Sequence, residues 1–322
     1  MGCSSLYKWK FNDFAVLSIF GILWAGSYLP SYAEEFAASY GTLSPEARAE
    51  ALASYTSLKF PKRGESFPLA VLLPGCMGWH PHHTEWEARL LKSKFAVLHV
   101  NSFKARGLTS PLELQREVCS GRQVTGDERA GDLVSVIEDV WRDPKVRSEN
   151  SIIMGWSHGG WTALDFLVML ENRIKPPNLT KGLPLDVGNF RAALLFYPYC
   201  GPAGFNWTAG LPRELDGYLF HGSRDVITSP RECKRRIERL KERGGNLEFV
   251  ELQNAGHWFD NRAEPAAFNN RAYSKALSKA NSIIERVLAG RENVTGDSDT
   301  SSSSSKSSED LMGLFEGLNE EY

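Results

Sequence analysis

Apolar runs of strand length at residues 68–73, 95–100, 151–154, 191–197, 218–220 and 247–252 alternate with segments of helical period at 85–94, 128–141, 161–170, 230–243 and 267–288. Strands that return in the same direction need a crossover, and a helix is the usual one. The alternation therefore predicts an α/β fold, a mostly parallel central sheet with helices on both faces. Ser44 as N-cap and Pro45 at the first helical position open a helical lead-in that is expected to run to about residue 58. With 322 residues, 42% hydrophobic and 24% charged, the chain can bury a full core. A net charge of −2 gives no electrostatic basis for a nucleic-acid partner.

The two ends read differently. Lys8 and Lys10 precede an apolar stretch, residues 14–25, that is too short to span a bilayer comfortably and is broken by Gly26, Ser27 and Pro30. Ser31 and Ala33 place small residues where a signal peptidase reads, with Glu34 following. Residues 1–33 are thus read as a secretory signal peptide cut after Ala33, giving a secreted or periplasmic protein with no membrane span after cleavage. An uncleaved membrane anchor is the alternative. Leu6 stands where N-myristoylation wants Ser or Thr, and Cys3 precedes the apolar run instead of following it, as a lipoprotein cysteine would. Cleavage removes Lys8, Lys10 and Asp13, so the charge moves from −2 to −3. It also removes Cys3 and leaves Cys76, Cys119, Cys200 and Cys233, an even set in an oxidising compartment. Four cysteines allow three connectivities; four free thiols would fit a cytosolic protein. Residues 34–66 form the lead-in, 67–292 the catalytic domain, and 293–322 a Ser-rich tail without the apolar surface to offset ordering entropy. No repeat and no phosphate-binding glycine loop is present, and no cofactor is called for.

The segment 151–167, SIIMGWSHGGWTALDFL, carries the chemistry. A strand runs into Gly155-Trp156-Ser157-His158-Gly159 and a helix follows at once, which is the G-x-S-x-G turn in the context it needs. The turn is tight enough to leave no room for a Cβ two residues on either side of the serine. A serine is a weak nucleophile until a histidine takes its proton, and that histidine needs an acid to hold its tautomer. On this architecture the acid and then the histidine follow the serine, each past a strand end. Asp225 follows the strand at 218–220, and His257 follows the strand at 247–252. Asp165 lies inside a helix, Asp186 in a loop before a strand, and Asp216 ahead of its strand, while His221 sits at a strand end. The triad is therefore Ser157, Asp225 and His257.

The oxyanion hole needs two backbone N–H groups. His158, whose ring should point away from the nucleophile, supplies one; the loop after the first long strand supplies the other, from Cys76 with Met77 close behind. His80, His82 and His83 form an HPHH cluster. It is read as a solvated or cleft-lining loop, since a Pro-containing loop does not hold zinc-ligand geometry, and no metal is assigned. Nine Trp, ten Tyr and seventeen Phe suit an aromatic-lined cleft.

The segments LLPGCMGW, HVNSFKARG, MGWSHGGW, LFHGSRDVITSP and NAGHWFD, in this order over about residues 67 to 290, resemble the dienelactone hydrolase family of α/β-hydrolases. The resemblance implies an eight-stranded type of sheet, here shortened at its start, with catalysis at its carboxyl edge by Ser157, Asp225 and His257. The founding members use a cysteine nucleophile; this chain has Ser157, so lactone specificity is not inherited and ordinary carboxylic esters fit better. Arg106 matches a family arginine that binds a substrate carboxylate, and a salt-bridged arginine fixing its loop is the equal alternative. Arg262 lies one position out of register with a second family arginine and is not carried over. Exported members of this kind imply the pairs Cys76 with Cys119 and Cys200 with Cys233; the second also suits a strand end facing the start of the helix after the neighbouring strand. The whole predicts an exported serine hydrolase acting on a small-molecule ester through an acyl-enzyme. A catalytically silent binding scaffold, or an acyltransferase or peptidase with the same triad, are the rivals. Oligomeric state is not readable.

Overall fold

The computed structural model describes residues 41–182, 189–204 and 209–290. The proposed leader, the Ser-rich tail and Asp186 lie outside the described residues. Seven strands form one sheet: β1 (Thr56–Lys59), β2 (Phe67–Leu73), β3 (Ala96–Val100), β4 (Val146–Trp156), β5 (Phe190–Phe196), β6 (Asp216–Gly222) and β7 (Asn246–Leu252). Their spatial order is β1-β3-β2-β4-β5-β6-β7, parallel throughout except for the antiparallel pairing of β1 with β3.

Six longer helices cover the sheet: α1 (Pro45–Leu52), α2 (Pro81–Lys92), α3 (Gly126–Arg142), α4 (His158–Glu171), α5 (Pro230–Glu242) and α6 (Asn270–Ala289). Alternate residues of each strand face opposite sides, so the sheet builds two cores. On one side Leu69, Val71, Ile153, Leu195 and Leu219 pack with residues of α1, α3, α4 and α5. On the other, Leu72, Val97, Met154, Phe196 and Val250 pack with Trp86 and Leu90 of α2 and with the Ala276–Ile283 face of α6. All seven residues of β2 are buried, which is why it reads as an unbroken apolar run. None of the described helices is long and apolar enough to cross a membrane.

The lead-in departs from expectation. Ser44 caps α1 by accepting the Ala47 N–H at 3.2 Å, but the helix stops at Leu52, and 56–59 is strand, not helix. Thr56 pairs with Val100 and Lys59 with Val97, closing an edge of β3 that would otherwise carry unpaired backbone groups. Thr56 Oγ1 also donates to Leu52 O at 2.9 Å, which satisfies a carbonyl at the helix end. At the far side β7 is the edge, with Glu248 and Glu251 exposed on opposite faces of the strand.

Candidate active site

β2, β4, β6 and β7 all end on the same edge of the sheet, and the loops that follow carry Cys76, Ser157, Asp225 and His257 respectively. Such an edge is where α/β sheets gather their ligands. Ser157 sits between β4 and α4 with φ 51° and ψ −113°, a conformation that costs a residue with a side chain about 1–3 kcal/mol. The strain is held from both sides: the Ser157 N–H donates to Phe196 O at 2.8 Å, and the Trp161 N–H donates to Ser157 O at 3.1 Å. A Cβ at Gly155 would stand 2.4 Å from Gly159 O, and one at Gly159 would stand 1.8 Å from Leu73 O. Only glycine fits at either place.

His257 Nδ1 lies 2.7 Å from Asp225 Oδ2. The carboxylate is saturated with donors: Oδ1 accepts the N–H groups of Ile227 at 2.8 Å and Thr228 at 3.0 Å, and Oδ2 also accepts Thr228 Oγ1 at 3.0 Å. Burial alone would push the Asp225 carboxyl up, but His257 and the Thr228 N–H outweigh it and hold the group below the usual carboxylate value. An ionised Asp225 fixes the Nδ1–H tautomer of His257 and leaves Nε2 as the basic nitrogen. Ser157, His257, Gly75, Cys76 and Met77 line one cavity of about 320 Å³, with Trp156, Tyr197 and Trp258 as its aromatic wall. His158 opens α4, so its backbone N–H has no acceptor within the helix.

The His158 ring is turned to the interior. Its Nε2 is 2.7 Å from Val124 O and its Nδ1 is 3.5 Å from Arg129 Nη1, an arrangement that requires the Nε2–H tautomer. Burial, and then the Arg129 charge, push this imidazole down to about 3.

No protein-family model matches the chain, and no curated protein matches it. Solved structures do. A protein of Klebsiella pneumoniae described as a dienelactone hydrolase superposes with a TM-score of 0.56 at 14% identity, covering 72% of this chain and 92% of the other. A dienelactone hydrolase-like promiscuous phosphotriesterase from metagenomic libraries gives 0.57 at 14%, over 72% and 92%. Thermogutta terrifontis esterase 2, phosphonylated by cyclosarin, gives 0.52 at 18%, over 72% and 88%. The chain has the fold of the dienelactone hydrolases.

Two sequence expectations look different in place. Arg106 does not line the cavity: its guanidinium meets Asp132 at 2.6 and 2.9 Å, and Asp132 also receives Arg48 at 2.8 Å. This is the loop-fixing arrangement, built on a fully buried carboxylate. His80, His82 and His83 do not form a Pro-containing loop. Pro81 is the first residue of α2, where its missing N–H costs nothing, and His82 and His83 are buried in the first turn, facing the cavity. Among the described residues no group of three His, Cys, Asp or Glu has the placement to hold a metal ion. The competitors Asp165 and Asp216 lie away from His257 on α4 and at the start of β6; His221 Nδ1 is 3.8 Å from Asp225 Oδ2, and His221 does not line the cavity. The disulfides join Cys76 to Cys119 and Cys200 to Cys233, the pairs the resemblance implies.

Two residues escaped the sequence reading. Arg129, 1% exposed, lies over the Phe103 ring at 4.7 Å, donates to Pro74 O at 2.7 Å and reaches His158 Nδ1 at 3.5 Å, so it ties the loop after β2 to the helix after the nucleophile. Its signal was a charge on the buried stripe of α3, in step with Leu133, Val136 and Val140. Asp260, also 1% exposed, accepts Trp156 Nε1–H at 2.8 Å and Tyr197 OH at 2.7 Å. Tyr197 in turn sets its ring 4.4 Å from that of His257, tilted by 53°. Burial, then Asp260, hold the Tyr197 hydroxyl well above its ordinary value, so it remains a donor.

Proposed function

We propose that the protein is a serine hydrolase of the dienelactone hydrolase family that cleaves carboxylic esters through an acyl-enzyme. Ser157 Oγ attacks the carbonyl carbon while His257 Nε2 takes its proton; Asp225 keeps the imidazole oriented and stabilises the imidazolium. The oxyanion is received by the N–H groups of His158 and Cys76. Collapse expels the alcohol, which takes the proton back from His257, and water then repeats the sequence to release the acid. Neither metal nor cofactor takes part.

The observation that carries this reading is the 2.7 Å Asp225–His257 hydrogen bond opening onto the same cavity as a serine held at φ 51°. A neighbour in fold, esterase 2 of Thermogutta terrifontis, is phosphonylated by cyclosarin; the same covalent chemistry is expected at Ser157. A fluorophosphonate probe tests it. Labelling of the wild type and none of Ser157→Ala is the expected result, and equal labelling of both would sink the proposal. Short-chain esters, lactones, amides and acyl acceptors screened side by side then fix the reaction type. Two disulfides in a chain of this size fit an oxidising compartment, and with the leader reading they support export. N-terminal sequencing of the mature protein, expected to begin at Glu34, checks it.

A further inference from the structure

Ser157 lies between two cavities. The first, already described, holds His257 and Trp258; the second, about 270 Å³, holds His158, Trp161, Tyr199 and Thr228. Cys76, Cys119 and Ile227 line both. In an acyl-enzyme route the leaving alcohol must receive its proton from the triad histidine, so it departs on the His257 side. The first cavity is therefore the alcohol side and the second the acyl side.

The alcohol side carries an unusual polar wall. His83 Nδ1 accepts the backbone N–H of His80 at 2.8 Å, which fixes the Nε2–H tautomer and leaves Nε2 a buried donor without an acceptor. His80 Nε2 and both ring nitrogens of His82 are likewise buried and unpartnered; Asn261 lies close to His82 without closing a hydrogen bond. Buried polar atoms are normally paired; all three rings line the cavity, so a small turn of a ring brings an unpaired nitrogen to a ligand there. We propose that His80, His82 and His83 form a subsite for a leaving alcohol that bears neutral hydroxyl groups. The assignment rests on the ester-cleaving reading of the triad.

The chemistry selects this class. A metal is disfavoured because His83 cannot lend its Nε2 lone pair while Nδ1 accepts a backbone N–H. An anionic substituent is disfavoured because burial keeps the imidazoles uncharged while Asp260 and Glu264 set negative charge near His82 and His80. A hydroxyl both donates and accepts, which matches the Nε2–H donor of His83 and a neutral His82, whose two ring nitrogens offer one donor and one acceptor.

Two phenols of similar size and acidity, 4-(hydroxymethyl)phenol and 4-ethylphenol, provide the test. Titrated calorimetrically into Ser157→Ala protein, the hydroxylated phenol is expected to bind about tenfold more tightly, the worth of one net hydrogen bond. In Ser157→Ala/His82→Leu and Ser157→Ala/His82→Phe proteins the ratio falls to near one. Equal binding of the two phenols by the Ser157→Ala protein overturns the subsite, and means that the ring nitrogens stay closed to the cavity; that comparison stands even where a His82 variant does not fold. A preference that survives both folded His82 variants overturns it too. Hydrolysis of the two corresponding butyrates by the wild type is read separately: no turnover of either sinks the esterase reading and leaves the binding comparison intact.

Discussion

Thr228 Oγ1 and His257 Nδ1 meet on the same oxygen of Asp225, at 3.0 and 2.7 Å. Thr228 also donates its backbone N–H to the other carboxylate oxygen, so Asp225 has one orientation available to it. Replacing Asp225 by Asn presents an N–H₂ where His257 needs an acceptor and favours the wrong tautomer. The expected outcome in ester hydrolysis is a fall in kcat of about 10³–10⁴-fold with a near-normal melting temperature. Thr228→Val removes only the hydroxyl and should cost roughly tenfold. A fully active Asp225→Asn protein would remove Asp225 from the mechanism.

Arg129 bridges the loop after β2 and the first turn of α4. Arg129→Met strands the Pro74 carbonyl and the His158 ring, and should lower stability by about 2–4 kcal/mol in urea denaturation. Because that loop carries the Cys76 N–H, kcat should fall about tenfold while KM changes little. An unchanged kcat in a destabilised protein would confine Arg129 to a structural role.

Acid should unfold the protein earlier than carboxylates alone would require. Burial holds His82, His83 and His221 below the ordinary imidazole value, and with the Arg129 charge it brings His99 and His158 to about 3. The unfolded chain takes up protons at these positions near pH 6.5, and the folded chain does not. Their contribution is complete above about pH 6.5 and is lost as the pH falls toward about 3. Asp132 and Asp225, both held below the usual carboxylate value, act in the same direction only below about pH 4. The urea midpoint should thus be level from pH 8 to 7 and drop between 6.5 and 5. A flat midpoint over that window contradicts the assignment.

The two disulfides should separate in their effects. Each closes a loop of 43 or 33 residues, and removing either should cost about 2–4 kcal/mol. Cys76→Ser/Cys119→Ser also frees the oxyanion loop and should lower kcat, whereas Cys200→Ser/Cys233→Ser should lower chiefly the melting temperature. Equal losses of kcat in both double variants would disconnect the Cys76–Cys119 bond from catalysis.

The strand-end rule made the positions of Ser157, Asp225 and His257 legible, because each lies one short loop beyond a strand with a buried apolar stretch, even in β7, where Leu247, Val250 and Leu252 alternate with exposed residues. β1 was not legible: Thr56–Lys59 has no buried residue, and what makes it a strand is a partner forty residues on. The start of α2 was hidden by its cap. His83 Nδ1 accepting the His80 N–H does the work that Glu or Gln does in the usual capping box, and histidine there gives no familiar signal. Arg106 could not be decided because its partner Asp132 lies on another helix, and Asp260 declared nothing until Trp156 and Tyr197 were folded over it.

The outer edge of β7 bears on how copies of this protein tolerate crowding. An open strand invites a second copy to extend the sheet. Residues opposite each other in an antiparallel pair share a face, so two such edges meeting about Glu248 or about Glu251 would set that carboxylate directly against its own copy. Like charges directly opposite are unfavourable. The same glutamates that make β7 a poor apolar run make it a poor template for growth at that edge.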